Sequence, residues 1–262
     1  MGKRYFNNIK WIIRPKVFVI RRIFKISKEE WIMGRIACMG QDVLKLLNIG
    51  VPILNVQKGR IDLISQKSKN IVRTAQIVPF IYRDDIKDLI LQQELLYGNM
   101  MKPPIALYMD SFSDLTDQLF LHRKKRWSFC ANFSDINHTM EFKKKFEVIG
   151  LLSMDSLIEH YRFFFNLFRQ RYPSVPIIFM HFPVKLDKRE KFNFRYKKIK
   201  EAIDILEKEF QQFYSFTVDE EIVNWPEELI PGLEKFPYHY NKETYQNLAN
   251  QIKESGVFAK FI

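Results

Sequence analysis

The sequence is poor in cysteine and glycine. Of its 262 residues, two are cysteine and nine are glycine. Cys38 and Cys130 cannot form a disulfide framework and do not have the paired spacing of zinc ligands, so we expect no metal and a reducing, cytoplasmic setting. So few glycines, with eleven prolines, exclude flexible low-complexity linkers, and no internal repeat is visible. The hydrophobic content of 47% is that of a globular chain.

Acidic residues and long hydrophobic runs are both missing from the first 25 residues, where eight lysines and arginines occur among aromatic and branched aliphatic residues. No apolar run approaches the roughly 20 residues that cross a bilayer. No signal-peptide pattern is visible. We interpret residues 1–33 as a basic amphipathic arm, of which residues 1–25 could bind an anionic membrane peripherally at the inner membrane face. Packing on its own domain or on a partner subunit is the alternative. The net charge is +12, but no nucleic-acid-binding motif is present, so we do not expect a nucleic-acid partner.

From residue 35 onward, short apolar runs alternate with longer amphipathic ones. The apolar runs predict strands over 35–39, 51–56, 103–109, 175–182 and 213–218, with helices between them. Such alternation is typical of a parallel sheet. We therefore predict that residues 34–262 form a three-layer, flavodoxin-like α/β domain, with a mostly parallel five-stranded sheet and helices on both faces. The basic, less regular segment 121–149 predicts an insertion or lid.

Ligands of parallel sheets bind beyond the carboxyl ends of the strands, which selects the residues that follow each strand. A cysteine at such a point, with a helix beginning after it, is a candidate nucleophile, because the helix amides favour the thiolate and can hold an oxyanion. The other reading of Cys38 is a small buried hydrophobe. The candidates selected in this way are Cys38, Gly40, Gln41, Asp42, Asp110, Ser111 and His181.

The stretch "HYNKETYQNLA" resembles the last conserved block of the SGNH/GDSL hydrolase superfamily. That block has a histidine, an asparagine, an aromatic residue and a Leu-Ala pair, matched here by His239, Asn241, Tyr245, Leu248 and Ala249. The order of strands and helices over residues 35–252 also suits that fold. This sequence differs at two points. Phe236 stands where the superfamily has an aspartate that orients the histidine, and "ACMGQDVLKLL" stands where Gly-Asp-Ser-Leu is usual.

The stretch "ACMGQDVLKLL" is itself similar to a cysteine-containing branch of SGNH-like bacterial proteins. It resembles the capsule-biosynthesis acetyltransferases of the WcbI type and proteins that open with Gly-Ser-Cys and a later aspartate, matched by Cys38 and Asp42. The resemblance implies that Cys38 is the nucleophile and His239 its general base. It also implies a coenzyme A thioester as acyl donor and a surface-polysaccharide sugar as acceptor. The basic runs at 122–126 and 143–145 are candidates for contacts with the donor's phosphates.

Several assignments stay open at this point. Asp110, Asp42 or Glu234 could take the place of the missing aspartate and orient His239. Ser111, in "MDSFSDL", is a rival nucleophile, although too few strands follow it before His239. His181 also lies at this edge, but a packed core histidine is the favoured interpretation. We expect an O-acetyltransferase-like enzyme with Asn241 also at its site. The alternatives are an esterase and a catalytically inactive glycan- or partner-binding protein.

Overall fold

A computed structural model describes residues 30–65, 76–93, 102–228 and 236–261. The predicted membrane-binding segment 1–25 lies outside the described residues, and so does Glu234. Within these ranges, no helix combines the length and the apolarity that crossing a membrane requires.

The described residues form strands and helices that alternate along most of the chain. The strands are β1 (Ile32–Arg35), β2 (Ile53–Asn55), β3 (Ala106–Asp110), β4 (Gln118–His122), β5 (Ser128–Ala131), β6 (Phe146–Leu151), β7 (Ile177–Met180) and β8 (Phe213–Phe216). The helices are α1 (Cys38–Leu46), α2 (Ile61–Ser65), α3 (Asp84–Gln92), α4 (Phe112–Thr116), α5 (Met140–Lys145), α6 (Leu157–Arg171), α7 (Glu190–Glu209) and α8 (Lys242–Glu254).

Five strands form one parallel sheet in the order β2-β1-β3-β7-β8. Helix α1 packs against α8, whereas α6 packs against α2 and α7, so that helices cover both faces of the sheet. All four residues of β7 are buried, as expected for a central parallel strand covered on both sides. This is the three-layer α/β architecture predicted from the sequence, and its strand order is flavodoxin-like.

The first strand ends earlier than the sequence predicts. The sequence predicts a strand over residues 35–39 because Ile36 and Ala37 are apolar. Both side chains are indeed buried in the structure. The side chain of Asn55 accepts a hydrogen bond from the Ile36 amide (3.0 Å) and donates one to the Ile36 carbonyl (2.9 Å). These bonds satisfy Ile36 after β1 ends at Arg35, and Cys38 is therefore the first residue of α1.

The segment predicted as an insertion contains regular structure that the sequence analysis missed. Strands β4, β5 and β6 form a separate antiparallel sheet in the order β5-β4-β6. Its core is aromatic: the rings of Phe120 and Phe129 stack with centroids 5.0 Å apart, and so do those of Phe142 and Phe146. The basic runs on either side of these residues obscured the apolar pattern. A lid function for this segment stays a prediction. The parallel sheet itself begins at Ile32, before the predicted domain start at residue 34.

A buried charge network lies beneath the carboxyl edge of the sheet. The side chains of Arg35 and Asp114 are both 0% exposed and form an ion pair at 2.6 Å. Arg35 also donates to the carbonyls of Asp110 (2.8 Å) and Gly59 (3.1 Å). Asp114 in turn accepts from the Ile61 amide (2.8 Å) and the Tyr161 hydroxyl. The network therefore joins β1 to α2, α4 and α6 through partners that are far apart in sequence.

Candidate active site

A cleft of about 940 Å³ brings Cys38 and His239 together. We call it the Cys38 cleft. Its described lining also includes residues that follow β1, β2 and β3, residues at and just before α3, residues of the turn between β5 and α5, and Phe236. They are Ala37, Gln57, Lys58, Arg83, Asp85, Ile86, Leu89, Phe112, Asn132, Ser134, Asp135 and Phe236. A cleft beyond the strand ends is the usual ligand site of a doubly wound sheet.

Cys38 opens α1, with Ala37 as an N-cap residue in extended conformation. Burial raises the pKa of the Cys38 thiol, and the charges of Asp110 and Asp42 raise it further. The backbone amides of Met39 and Cys38 lower it, as the sequence analysis expected of a helix N-terminus, but they are outweighed. The pKa rises from 9.0 to about 12. The thiol is therefore neutral near pH 7.

This pKa predicts slow alkylation of Cys38. At pH 7.5 the thiolate fraction should be ~10³-fold lower than for a thiol of pKa 9, and the rate with iodoacetamide should fall accordingly. Peptide mapping after timed exposure, with glutathione as the reference thiol, measures it. We expect the rate to keep rising with pH beyond pH 10. A plateau below pH 9 would show instead that a thiolate is already formed.

His239 lies in the turn before α8 and is only partly buried. Burial lowers the pKa of its imidazole, and the negative charge of Asp42 partly opposes this. The neutral ring is thus the dominant form at pH 7 and can accept a proton. Its nearest aromatic neighbour is Phe236, at 5.4 Å between ring centroids. Among the described residues, the ring forms no hydrogen bond, to Cys38 or to an acid. Catalytic hydrogen bonds often tighten only when substrate is bound.

The carboxylate of Asp110 holds the segment that carries Cys38. It accepts hydrogen bonds from the amides of Ala37 (2.6 Å) and Phe112 (3.0 Å), one on each oxygen. Burial raises the pKa of Asp110 to about 7 despite these two bonds. Asp110 is one of the acids considered as partners for His239, and both of its carboxylate oxygens are engaged by backbone amides. Asp42 acts on the ring through its charge while it pairs with Lys45 at 2.7 Å.

The other predicted site residues have structural partners and do not line the Cys38 cleft. Ser111 is buried, and its hydroxyl accepts from the Phe182 amide at 2.9 Å. His181 is buried with Nε2 at 3.0 Å from the Ser215 hydroxyl, and burial lowers its pKa to about 3. Asn241 is the N-cap residue of α8, and its side-chain oxygen accepts from the Thr244 hydroxyl and the Asn224 amide.

Gly40 contributes to the packing of α1 against the sheet, and Gln41 connects α1 to the wall of the cleft. A Cβ at position 40 would lie 2.7 Å from the Cβ of Ile36 and 3.0 Å from the Cε of Met180, closer than side-chain atoms pack. Gly40 therefore allows the helix to lie directly against the strand ends. The Gln41 amide donates to the Gln57 side-chain oxygen at 3.1 Å, and Gln57 lines the cleft.

Lys58 is a part of the cleft wall that the sequence analysis missed. Its ammonium lies between the carboxylates of Asp117 (3.1 Å) and Asp135 (2.9 Å). Burial lowers the pKa of Lys58, but the two carboxylates outweigh it and raise the pKa above its ordinary value, so the cation persists. The strand-end rule that selects Cys38 and Asp110 also selects the residues after β2, and this is the signal in the sequence that points to Lys58.

No protein-family model and no curated protein matches this chain. Among solved structures, it is similar to an acetyl xylan esterase (Est2A) from the rumen bacterium Butyrivibrio proteoclasticus, with 11% sequence identity and a TM-score of 0.40. The match covers 88% of this chain and spans 63% of the length of that esterase. At this level of similarity nothing about activity follows for this chain.

Proposed function

We propose that this protein is an acyl-transfer enzyme in which Cys38 receives the acyl group and His239 is the general base. The observation that carries the proposal is that these two side chains, from opposite ends of the domain, line one cleft at the carboxyl edge of the parallel sheet. Nucleophile and base in reach of one substrate are the minimum that acyl transfer requires.

The protonation states suit a concerted first step. As the Cys38 sulfur forms its bond to the acyl carbonyl carbon, its proton passes to the neutral imidazole of His239. The amides at the start of α1 stabilise the negative charge that develops on the carbonyl oxygen. Collapse of this intermediate expels the leaving group, which takes the proton from the imidazolium. Because the pKa of Cys38 is raised and that of His239 is lowered, proton transfer before the attack is unfavourable, so the proton has to move while the sulfur–carbon bond forms.

We further propose a coenzyme A thioester as acyl donor and a hydroxyl of a surface polysaccharide as acceptor. The support is the resemblance of the Cys38 stretch to the WcbI-type acetyltransferases, together with a cleft large enough for an extended substrate. The described residues that line the cleft include none from the basic runs at 122–126 and 143–145. Water in place of the sugar hydroxyl would make the same site an esterase.

Trapping the acyl-enzyme tests the proposal. The full chain is mixed with acetyl-coenzyme A or with p-nitrophenyl acetate and quenched in acid, and intact mass and peptide mapping locate the acetyl group. We expect it on Cys38, and we expect its formation to slow by about 10²-fold or more in His239→Ala.

The matched control is His138→Ala, since His138 lies outside the described lining of the Cys38 cleft. It should acetylate at the wild-type rate. If acetyl groups are found only on lysines, or if Cys38→Ala is acetylated as much as the wild type, the proposal is wrong. The cleft would then have a binding function only.

A further inference from the structure

A second pocket, of about 550 Å³, adjoins the Cys38 cleft. We call it the Trp225 pocket. Asn132, Ser134 and Phe236 line both spaces, so a molecule in one can reach into the other. The rest of its described lining comes from the chain before α7 and from the segments around Trp225 and Tyr238: Leu186, Asp187, Lys188, Arg189, Trp225, Pro237 and Tyr238.

The side chain of Trp225 is exposed in this pocket. It is 43% exposed, whereas Trp31 and Trp127 are buried. Among the described residues, its indole takes part in no ring pair and its N–H has no hydrogen-bond acceptor. A tryptophan in a pocket offers a flat apolar face and one donor, the combination that suits a sugar ring with its C–H face and its hydroxyls.

The polar groups beside Trp225 are fixed in place before any ligand arrives. The Asp187 carboxylate accepts from the Arg189 guanidinium at 2.8 and 2.7 Å, and also from the Tyr238 hydroxyl. Asn132 accepts from the amide and hydroxyl of Ser134 at 3.2 and 3.0 Å. Such pre-organised groups can bind hydroxyls without paying to order flexible chains.

The charges of both spaces favour a neutral ligand over a polyanion. In the described lining of the Cys38 cleft, Lys58 and Arg83 balance Asp85 and Asp135. In the Trp225 pocket, Lys188 and Arg189 exceed Asp187 by one charge. Most of these cations are already paired with acids: Lys58 with Asp135, Arg83 with Asp85 and Arg189 with Asp187. A nucleotide with several phosphates would find little uncompensated positive charge here, so the proposed donor would place only its uncharged thioester arm in the Cys38 cleft and keep its phosphates outside both spaces.

We propose that the Trp225 pocket binds a neutral sugar ring of the acceptor, stacked on the indole of Trp225, with its hydroxyl directed toward the acyl group on Cys38. This inference rests on the proposed function, and it names where the acceptor binds. In the transfer step the sugar hydroxyl attacks the thioester carbon and its proton passes to His239. The carbon–sulfur bond then breaks, and the Cys38 sulfur takes the proton back from the imidazolium.

Binding of methyl glycosides to the full chain tests this assignment. Glucose, galactose, mannose, rhamnose and N-acetylglucosamine derivatives are screened by saturation-transfer NMR, and Kd is measured by titration. We expect at least one glycoside to bind. In Trp225→Ala its Kd should rise about tenfold, while Trp225→Phe should retain most of the affinity. Phe163→Ala is the matched control, because Phe163 is 50% exposed on α6 and lines neither pocket, and its Kd should equal that of the wild type.

The contrary outcomes are equally specific. No binding by any glycoside of the panel, or an unchanged Kd in Trp225→Ala, would overturn the sugar assignment. Adenosine 3′,5′-bisphosphate that binds the wild type but not Trp225→Ala would overturn it in favour of a nucleotide subsite. The far-ultraviolet circular dichroism spectrum and the urea midpoint of Trp225→Ala should equal those of the wild type, which verifies its fold. If the wild type binds the sugar but no acetyl group is trapped on Cys38, the proposed enzymatic function is wrong and the assignment of the sugar-binding pocket stands.

Discussion

Replacing Cys38 by alanine should lower acyl transfer by about 10³-fold or more, whereas replacing it by serine should leave turnover well above that of the alanine variant. The reason is the protonation state of the site. A thiol whose pKa is raised to about 12 reacts, like a hydroxyl, only when a base removes its proton during attack. A serine in the same place keeps the base and the helix amides and so keeps part of the rate.

Steady-state kinetics of Cys38→Ala, Cys38→Ser and the double variant Cys38→Ser/His239→Ala measure this difference. The double variant should fall to the level of Cys38→Ala, because the hydroxyl then has no base. The acid limb of kcat/KM should lie below pH 6.5, since burial lowers the pKa of His239 and its neutral form is the active one. Cys38→Ser as inactive as Cys38→Ala, with an activity that falls at alkaline pH, would indicate a thiolate–imidazolium pair instead.

Replacing Asp114 by alanine should destabilise the fold by about 3–5 kcal/mol, because it removes the buried carboxylate that pairs with the buried Arg35 guanidinium. Both side chains of this ion pair are fully buried. The substitution also removes the acceptor of the Ile61 amide and of the Tyr161 hydroxyl. Urea denaturation followed by circular dichroism measures the change as a lower midpoint at an unchanged slope.

The control for Asp114 is Glu201→Ala on α7. Glu201 pairs with Lys198 at 2.7 Å, and both side chains are exposed, so its loss should cost less than about 1 kcal/mol. Adding Arg35→Met to Asp114→Ala should recover part of the stability, because the buried cation that lost the Asp114 carboxylate is then replaced by an apolar side chain. A loss for Asp114→Ala no larger than that for Glu201→Ala would contradict the role of the buried pair.

The alternation of apolar and amphipathic runs was enough to predict the parallel sheet. In such a sheet the carboxyl ends of the strands meet at one edge, so that the cleft shared by Cys38 and His239 followed from element order. The apolar run at β7 is readable for the same reason, since a strand covered on both faces needs no polar residue.

What the sequence could not predict depends on contacts between distant segments. The end of β1 is determined by the Asn55 side chain on the neighbouring strand, and nothing in residues 35–39 indicates it. The buried cations Arg35 and Lys58 look like surface residues in sequence, because the acids that neutralise them lie on α4 and in the segments beyond it. The thiol pKa was expected to fall and instead rises, because burial and the Asp110 charge exceed the effect of the helix amides.

The turn between β5 and α5 belongs to the antiparallel sheet, yet Asn132 and Ser134 form a wall of both the Cys38 cleft and the Trp225 pocket. Cys38 follows β1 and His239 follows β8, so both are carried by segments connected to the parallel sheet. Insertions and substitutions in that turn can accumulate without moving either reacting group, as is common for loops mounted on a rigid scaffold. Related chains can thus differ in the substrates they bind while the Cys38 sulfur and the His239 imidazole stay in the same positions.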